Sequence, residues 1–427
     1  MTNNKKKFLF VTIYADIIDL AWKIKNEGNE VKFYIEDKDV KDIGDGFVDK
    51  VEKWEEFKDW ADVIVFDEIG FGSIAEKLRK EGKLVIGGSV YTDKLEMDRN
   101  FGYQEMIASG INVIPSWAFT DFDEAIKFIQ KNPDRYVVKP CGKQDEKELS
   151  FVGEEEDGKD VIQILELYKL RWAKKVKTFQ LQKFISGVEV AVGAFFNGED
   201  FVYPINVNFE HKKLFPGNIG PSTWEMGTSM FWVNSNIIFN ETLLKMKEKL
   251  KQSGYVGYID INCIVNGRGI YPLEWTSRFG YPTISIQIEG ILSEWGEFLY
   301  ALAKKEKFEL KAKKGFQVGV VIAVPPFPFT DIAAFKKYSE DATIIFKKPI
   351  LEGVHIANVK LVDGNYIVAG VDGFVLIIVG TGTTMEETRK VVYNKISNIT
   401  IPNMFYRTDI GERWFTDSDK LFSWGYI

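Results

Sequence analysis

Short apolar runs alternate with stretches of helical spacing over residues 8–86, and this alternation constrains the fold more than any other feature of the chain. The runs typical of buried strands are Phe8 to Tyr14, Val31 to Ile35, Val63 to Phe66 and Leu84 to Ile86. Helical spacing follows the first and the third run, over Ile17 to Lys25 and Ser73 to Lys80. This rhythm predicts an α/β fold in which helices cover a parallel sheet.

The first strand-to-helix turn, Thr12 to Asp16, contains no glycine. Dinucleotide- and phosphate-binding turns use glycine here because the backbone must approach the phosphate closely. The turn therefore does not predict a phosphate site.

Two strand-like runs joined by an Asn-Gly turn lie within residues 255–282. Alternation places Asp260 and Asn262 on one face of the first run, and Glu274 and Thr276 on one face of the second. A two-residue turn would separate these polar pairs, whereas a loop of three or five residues would bring Asn262 opposite Glu274. We favour the longer loop because the other register would isolate Glu274 from polar partners.

These four side chains would form a set of hard oxygen donors, which suits Mg²⁺ (or Mn²⁺) held by one or two carboxylates and by phosphate oxygens. An edge hairpin with one solvated face explains the same pattern without a metal, and the hairpin alone favours that interpretation. Arg278 changes the balance, because an arginine a few residues beyond Glu274 can reach a phosphoryl group held by the ion.

The composition limits the classes of function that the chain can have. Its 427 residues are 45% hydrophobic and 27% charged, as in soluble globular proteins of several domains. A formal net charge of -7 argues against a general nucleic-acid or membrane binder. Two cysteines and no signal-peptide pattern indicate a reducing cytoplasm. With two histidines, phosphoryl transfer suits the chain better than a histidine-based metal site or hydrolase.

Three further features place charge within apolar or glycine-rich stretches. Lys139 ends an apolar run, which indicates either a nucleotide phosphate partner or a lysine that reaches the surface. Glu189 shares a strand face with Gly193, which indicates close approach of a ligand or an ordinary half-exposed strand. Lys212 and Lys213 precede a glycine-rich loop, where they would hold an anionic substrate or form a surface turn.

Capping signals and apolar periodicity predict the remaining elements. Asp121 with Glu124, and Thr384 with Glu387, are patterns that begin helices. We further expect one helix from Tyr91 to Ile107, one helix from Ile284 to Ala303, and strands at Gln317 to Val324 and Tyr366 to Gly380.

Motifs in a fixed order along nearly the whole chain resemble the phosphoribosylamine–glycine ligases, ATP-grasp enzymes also called glycinamide ribonucleotide synthetases. The motifs are Leu95 to Phe101, Val137 to Lys139, Gly187 to Glu189, Glu210 to Lys213, Gly220-Pro221 with Met226-Gly227, Glu274 to Gly280, and Tyr406 to Gly411. Each is weak alone, but the ordered set is specific for the family.

The resemblance implies an ATP-grasp fold in a multidomain chain of α/β and α+β parts. It implies an N-terminal parallel α/β (pre-ATP-grasp) domain at 1–93, a small ATP-grasp lobe with connecting helices at 94–186, a large lobe with the metal hairpin at 187–314, and a small C-terminal α+β domain at 315–427. It also implies a reaction of the purine-biosynthesis type: ATP phosphorylates a carboxylate, and an amine attacks the acyl phosphate to give an amide, ADP and phosphate.

Residue roles follow from the same resemblance. Nucleotide contacts are implied for Arg99, Lys139 and Lys147 at the phosphates, for Gln182, Lys183, Phe184 and Ile185 at the adenine, and for Glu189 at the ribose. Metal ligation is implied for Glu274, with Thr276, Asp260 and Asn262 as further donors. Arg278 would stabilise the transferring phosphoryl group, and the residues implied beside it in catalysis and substrate binding are Lys212, Lys213, Gly220, Pro221 and Gly280.

Several positions depart from the family's pattern. The expected N-terminal glycine loop for the phosphoribosylamine phosphate is Thr12 to Asp16, with neither glycine nor a basic residue, and the expected glycine-rich ATP lid is Lys143 to Leu149, almost all charged. Thr276 replaces an asparagine ligand, and Tyr281 and Thr283 replace acidic residues. The ATP half is better preserved than the amine half, which indicates an altered acceptor.

We therefore expect an ATP-dependent carboxylate–amine ligase that joins an amino acid such as glycine to an amine, with ATP and Mg²⁺ or Mn²⁺. We expect a cytoplasmic monomer or small homo-oligomer without nucleic-acid or membrane partners. Two alternatives stay open: a ligase for a different acceptor, such as a modified nucleotide or sugar amine, and a non-catalytic ATP-grasp descendant that binds a nucleotide or partner without turnover.

Overall fold

A computed structural model describes residues 5–141, 149–172 and 178–427. The strands are β1 (Lys7–Thr12), β2 (Glu30–Ile35), β3 (Asp49–Lys50), β4 (Val63–Phe66), β5 (Val85–Ile86), β6 (Ser116–Phe119), β7 (Tyr136–Cys141), β8 (Phe151–Val152), β9 (Thr178–Lys183), β10 (Val188–Phe196), β11 (Phe201–Glu210), β12 (Lys213–Phe215), β13 (Ile219–Ser222), β14 (Gly227–Val233), β15 (Gly257–Asn266), β16 (Gly269–Thr276), β17 (Phe316–Ala323), β18 (Ile345–Phe346), β19 (Val354–Ile356), β20 (Val359–Val362), β21 (Asn365–Val368), β22 (Phe374–Gly382) and β23 (Ile399–Thr400).

The helices are α1 (Ile18–Asn26), α2 (Gly72–Lys80), α3 (Val90–Met97), α4 (Arg99–Ala108), α5 (Phe122–Lys131), α6 (Lys159–Trp172), α7 (Ile237–Glu241), α8 (Lys247–Gln252), α9 (Thr283–Gly290), α10 (Trp295–Ala303), α11 (Ile332–Tyr338), α12 (Met385–Ile396) and α13 (Trp414–Trp424). Single 3-10 turns lie at Lys38–Val40, Trp54–Phe57 and Leu243–Met246. In the part of the chain that the structure describes, no helix is long and apolar enough to cross a membrane.

The chain packs into two compact units that each combine distant segments. The first contains Met1–Asp93, Val190–Ile261 and Thr276–Ile427, and the second contains Lys94–Glu189 and Asn262–Trp275. The four-domain division expected from the sequence stays a prediction.

The N-terminal segment forms the predicted parallel sheet, in the order β3-β2-β1-β4-β5. Its central strand β1 pairs in parallel with β2 and with β4. Phe8 and Phe10 are fully buried on one face of β1, against Phe33 of β2. The alternation of apolar strands and helices therefore predicted this part of the fold correctly, because both faces of a parallel sheet must be covered.

The largest sheet has the order β16-β15-β10-β11-β14-β17-β22-β19. The pairings of β11 with β14, β14 with β17, and β17 with β22 are antiparallel. Strand β17 is apolar and buried over Val318 to Ala323, as expected for a central strand. The second unit has its own antiparallel sheet, β6-β9-β7-β8, with a separate core beneath α5 and α6.

Two expected single helices are each interrupted. The helix expected over residues 91–107 ends at Met97, because Asp98 accepts a hydrogen bond from the Phe101 backbone N–H at 3.0 Å and begins α4 as its N-cap. The helix expected over residues 284–303 ends at Gly290, since Ile291 forms an antiparallel bridge with Ala312.

Helix α10 then begins with a cap from a distant residue. The Glu27 carboxylate accepts hydrogen bonds from the N–H groups of Trp295 at 3.0 Å and Gly296 at 2.9 Å. Such a cap is invisible to a local pattern, because Glu27 is far away in sequence.

The strand expected over residues 366–380 is also two strands, β21 and β22, separated by a turn with Gly370 and Gly373 in left-handed conformation. Both capping predictions are confirmed. Asp121 accepts from the Glu124 N–H at 2.9 Å, and Thr384 accepts from the Glu387 N–H at 3.2 Å.

Candidate active site

Three of the residues predicted to contact a nucleotide lie on the sheet of the second unit, and they are Lys139, Gln182 and Lys183. Lys139 on β7 is half-buried and lies opposite Gln180 of β9, which is buried. Gln182 of β9 is also buried and lies between Val137 of β7 and Ser116 of β6. A buried amide side chain needs hydrogen-bond partners, so these positions provide polar groups on an otherwise apolar strand.

The segment after Gln182 is held by residues just before β7. The Lys183 ammonium lies 2.5 Å from the Asp134 carboxylate, and this hydrogen bond raises the pKa of Lys183. The guanidinium carbon of Arg135 lies 3.5 Å from the centre of the Phe184 ring. The backbone N–H of Phe184 donates to the Arg135 carbonyl at 2.9 Å. Ile185 follows, half-buried. Both tethers fix the backbone course of this segment.

Arg99 is the first residue of α4 and is half-buried. Glu189 is half-buried between the buried Val188 and Val190 of β10, as strand alternation predicts. Lys147 lies outside the described residues.

The glycine at position 193, which we took to indicate close approach of a ligand, is explained by packing within the protein. A Cβ added there would lie 1.9 Å from the Tyr258 hydroxyl of the neighbouring strand. The small residue therefore accommodates a side chain of the protein itself, which explains Gly193 without a ligand.

The connection between β15 and β16 has two residues, Gly267 and Arg268, and not the three or five that we expected. Asn266 stabilises it by accepting from the Arg268 N–H at 2.9 Å and donating to the Ser186 carbonyl at 2.9 Å. The side-chain amide of Asn266 thus stabilises a two-residue turn, where we had expected a longer loop that contains glycine.

Strand β16 changes its side-chain alternation along its length. Ile270 and Pro272 are buried, and then Trp275 is buried while Glu274 is exposed. Burial therefore passes from even-numbered positions, Ile270 and Pro272, to the odd-numbered position Trp275, and Glu274 is exposed. Gly102 of α4 allows the close approach of Trp275, because a Cβ there would lie 3.2 Å from the indole Cδ1 and 2.7 Å from the Leu95 carbonyl.

The predicted metal ligands are chemically suitable for magnesium. Asp260 and Asn262 are 2% and 3% exposed on β15, Thr276 is half-buried, and Glu274 offers an exposed carboxylate. Among the residues described, no group of three or more His, Cys, Asp or Glu side chains is arranged to hold a metal by itself. Each donor is of a type that Mg²⁺ accepts. The two-residue connection between β15 and β16 argues against the register that we favoured, with Asn262 opposite Glu274.

A buried polar network in the first unit was missed at the sequence level. Asn206 of β11 donates to the Tyr258 hydroxyl at 2.9 Å and to Asn208 at 3.0 Å, and it accepts from Gln287 at 3.2 Å. Burial and the nearby Asp260 raise the pKa of Tyr258 well above its ordinary value. Alternating polar residues in a strand that is otherwise fully apolar were the signal that could have revealed this network.

Lys212 and Lys213 are half-buried at the start of β12. The Lys212 ammonium lies 3.4 Å from the carboxylate of Glu210. Gly220 and Pro221 lie in β13, which pairs with β12, and a Cβ on Gly220 would lie 2.6 Å from the ring of Phe215.

Arg407 is fully buried and holds this β12–β13 hairpin in place. Its guanidinium donates to the Lys213 carbonyl at 2.8 Å, to the Asn218 side chain at 3.0 Å and to Asp409 at 2.6 and 2.8 Å. Asp409 in turn accepts from the Gly217 N–H at 2.9 Å. The C-terminal motif with Arg407 and Asp409 therefore supports the predicted substrate loop from behind.

Arg278 lies at the carboxyl end of the N-terminal sheet, beside a group of carboxylates. Its guanidinium carbon is 5.7 Å from the ring centre of Tyr281, and it opposes the rise in the pKa of Asp16. Tyr281 donates to Asp67 at 3.0 Å. Gly280 lies against Thr283, because a Cβ added to Gly280 would be 2.8 Å from the Cβ of Thr283. The Gly280 carbonyl accepts a hydrogen bond from the Ile284 N–H at the start of α9.

The models of two domains of one family match the chain in order. The ATP-grasp (A) domain of phosphoribosylglycinamide synthetase matches residues 97–284, and the C domain of the same synthetase matches residues 317–413. Together the two matches cover more than half of the chain.

Similar curated proteins carry the name phosphoribosylamine–glycine ligase. The protein from Listeria monocytogenes is 27% identical over 351 residues, which are 80% of this chain and 81% of that protein. The protein from Streptococcus pneumoniae is 25% identical over 355 residues, which are 81% of this chain and 82% of that protein.

Solved structures share the fold. Phosphoribosylamine–glycine ligase from Thermotoga maritima superposes with a TM-score of 0.72 at 21% identity, covering 95% of this chain and 100% of that one. Biotin carboxylase from Campylobacter jejuni, in a complex with a β,γ-ATP compound, superposes with a TM-score of 0.63 at 14% identity, covering 99% and 97%.

Proposed function

The chain belongs to the phosphoribosylglycinamide synthetase family of ATP-grasp ligases, and on this basis we propose that it joins a small amino acid such as glycine to an amine at the expense of ATP. The observation that carries the proposal is the ordered match of the ATP-grasp and C domains over residues 97–284 and 317–413.

In the proposed reaction the γ-phosphoryl group of ATP is transferred to a carboxylate oxygen, giving ADP and an acyl phosphate. The lone pair of the amine then attacks the carbonyl carbon, the bond from that carbon to the phosphate oxygen breaks, and phosphate leaves with the electron pair. The nitrogen loses one proton as the amide forms. Such chemistry depends mainly on positioning and on stabilising charge, and the chain offers lysine, arginine and carboxylate side chains for both.

We assign the nucleotide to the residues that the family motifs mark. Arg99, Lys139 and Lys147 bind its phosphates, Gln182 and the segment 183–185 bind the adenine, and Glu189 binds the ribose. The half-buried position of Lys139 supports this role, because a partly buried ammonium is stabilised by an anionic partner. Arg278 stabilises the transferring phosphoryl group, and Lys212 and Lys213 with the Gly220–Pro221 loop and Gly280 face the substrates.

Magnesium, when bound, neutralises charge on the transferring phosphates. We assign Glu274 as its principal ligand, with Thr276, Asp260 and Asn262 as further oxygen donors. The Glu274 side chain is exposed near the end of β16, and Mg²⁺ is usually bound by one or two carboxylates together with substrate phosphates.

Phosphate release from ATP by the full chain tests this function. Incubation with ATP, magnesium and glycine should release phosphate only when an amine from a panel is also present, and mass spectrometry should detect the amide. Glu274→Gln should lower the rate by about 100-fold. Glu166→Gln, which changes an exposed carboxylate on α6, should leave the rate unchanged.

A Glu274→Gln variant as active as the parent would overturn the metal assignment. ATP binding that calorimetry finds independent of magnesium, together with no amide from any amine, would overturn the ligase and would favour a non-catalytic descendant that binds nucleotide.

A further inference from the structure

The crevice at the carboxyl ends of β1 and β4 lies where a parallel sheet of this topology binds its ligand. In the order β3-β2-β1-β4-β5 the chain leaves β1 toward β2 and returns to its other side with β4. In open α/β sheets ligands occupy the crevice at such a switch point. Asp16 follows β1 here, and Asp67 and Glu68 follow β4.

Asp67 is the best-defined group of this crevice. Its side chain is 0% exposed, and its Oδ2 accepts hydrogen bonds from the Thr12 hydroxyl at 2.8 Å and from the Tyr281 hydroxyl at 3.0 Å. Its Oδ1 is buried and has no hydrogen-bond partner among the described residues. A buried carboxylate oxygen without a donor is costly, and a ligand that donates to it would remove that cost.

Further carboxylates surround Asp67. Burial and Glu68 raise the pKa of Asp67 to about 8. Asp16 is half-buried. Its burial, together with Glu68, Asp67 and Asp372, raises its pKa well above the ordinary value, and Arg278 acts in the opposite direction. The crevice therefore combines four carboxyl groups with one neighbouring guanidinium. The raised pKa values of Asp16 and Asp67 favour their protonated forms, and a bound cation would lower these pKa values and favour the carboxylates.

Two tyrosines complete the crevice. Tyr281 contributes the hydroxyl that binds Asp67, and burial followed by Asp67, Glu68 and Asp16 raises its pKa well above the ordinary value. Tyr14, in the turn after β1, is 47% exposed. Partial burial raises its pKa, and four nearby carboxyl groups raise it further, those of Asp37, Glu68, Asp16 and Glu36. Aromatic rings beside carboxylates suit an organic cation.

Phosphate and a metal ion fit the crevice poorly. The turn Thr12 to Asp16 has no glycine and no basic residue, so that a phosphate would meet carboxylates in place of N–H donors. Within the described ranges, no three or more His, Cys, Asp or Glu side chains are arranged to hold a metal by themselves, so that a metal ion here would need further ligands from a substrate. An organic cation, which needs a hydrogen-bond acceptor and not a coordination shell, fits better.

We propose that this crevice binds a cationic group of the amine substrate, so that the acceptor of the ligase is an amine with a second ammonium or guanidinium group and not a sugar phosphate. Asp16, Asp67 and Glu68 hold that second group while the other amine reacts. This inference rests on the proposed ligase function, because only a ligase has an amine acceptor. The binding of the cation can nevertheless be measured without turnover.

Calorimetry on the full chain tests the inference. Putrescine and agmatine, which carry ammonium–ammonium and ammonium–guanidinium pairs, are titrated alone and in the presence of magnesium with a non-hydrolysable ATP analogue. Butylamine serves as the singly charged probe and inorganic phosphate as the anionic probe. At least one dication should bind about tenfold more tightly than butylamine, since charge-assisted hydrogen bonds are about twice as strong as neutral ones.

Matched variants locate the site. Asp67→Asn and Asp16→Asn should each weaken dication binding by about tenfold or more without lowering the thermal midpoint, because both substitutions keep the side-chain volume and replace carboxyl groups whose raised pKa already favours the uncharged form. Glu81→Gln, an exposed substitution after α2 in the same domain, should leave the affinity unchanged. Glu274→Gln should lower the rate of turnover by about 100-fold and still bind the dication.

The outcomes separate this inference from the ligase function. No dication binding in either condition, affinity untouched by both aspartate variants, or preferential binding of phosphate would overturn the cation site. Ligation of a singly charged or phosphorylated amine in preference to dications would also overturn it while the ligase function stands. Dication binding that depends on Asp67 without any ATP turnover would support the site and overturn the ligase.

Discussion

The hydroxyl of Tyr258 determines what residue 193 can be. It lies 1.9 Å from the position of a Cβ on Gly193, and Tyr258 Cζ lies 2.6 Å from it. The same hydroxyl accepts from Asn206 at 2.9 Å, so the ring cannot move away without breaking a buried hydrogen bond. One glycine thereby allows the polar network of Asn206, Asn208 and Gln287 to form.

Gly193→Ala should lower the free energy of unfolding by about 1–3 kcal/mol because it overpacks a buried contact. Tyr258→Phe should cost about 1 kcal/mol through loss of one hydrogen bond. The double variant removes the atom nearest to the new methyl group, so its loss should be smaller than the sum of the two single losses. Urea unfolding of all four proteins measures this difference, and strictly additive losses would contradict the proposed clash.

At the scale of elements, the β12–β13 hairpin depends on a buried arginine from the C-terminal motif. Arg407 is 0% exposed and joins the Lys213 carbonyl, the Asn218 side chain and Asp409. Asn218 takes a left-handed φ of 58°, a conformation that is uncommon outside glycine although asparagine tolerates it better than most residues, and its side chain accepts the hydrogen bond from Arg407. The conformation of the loop therefore depends on contacts that lie outside it.

Arg407→Gln should destabilise the protein by about 3–5 kcal/mol, since it leaves the Asp409 carboxylate partly buried without its charge partner. Thermal unfolding should show the lower stability, and limited proteolysis should cut more rapidly within residues 213–222. Arg268→Gln, which changes an exposed arginine in the β15–β16 turn, is the control. Equal cleavage rates in the two variants would show that Arg407 does not support the hairpin.

At the scale of the whole molecule, a buried charged triad joins segments that are far apart in sequence. His355 of β19 lies 2.8 Å from the Asp19 carboxylate of α1 and 3.4 Å from the Glu289 carboxylate of α9. Burial by itself would lower the pKa of His355, but Asp19 and Glu289 outweigh it and raise that pKa to about 9. Despite burial, His355 and Lys313 lower the pKa of Glu289 to about 2.

The triad makes stability depend on pH. The contribution of His355 is complete below its unfolded pKa of 6.5 and is lost as pH rises through about 9. The contribution of Glu289 is complete above its unfolded pKa of 4.5 and is lost as pH falls through about 2. Between pH 7 and 9 the free energy of unfolding should therefore fall by about 1.4 kcal/mol per pH unit through His355.

Urea unfolding at several pH values tests this slope. His355→Asn should make it shallower between pH 8 and 9, whereas below pH 8 the Asp67 carboxyl, whose pKa in the folded protein is about 8, keeps a fall in stability with rising pH in parent and variant alike. Burial lowers the pKa of the other histidine, His211, to about 3, so this residue is largely neutral in both states over the same range. His211→Asn should therefore keep the slope of the parent. A parent-like slope in the His355 variant would show that another group titrates.

Local patterns of the sequence determined the family, the ATP-grasp fold, the N-terminal parallel sheet and the starts of helices. Strand alternation, the Asp121 and Thr384 caps and the ordered motifs each depend on residues a few positions apart, and such signals can be read from the chain itself. The comparisons confirm the family and the fold. The roles assigned to single site residues stay predictions.

Only the tertiary structure decided which distant residues meet. Asp67 and Tyr281 are 214 positions apart, and Arg407 and Asn218 are 189 apart, yet each pair shares a hydrogen bond. The interruption of the helix after Gly290 likewise depends on a bridge to Ala312. No local propensity encodes such meetings, because they arise from the packing of whole elements, and this packing placed carboxylates where the resemblance implied a phosphate site.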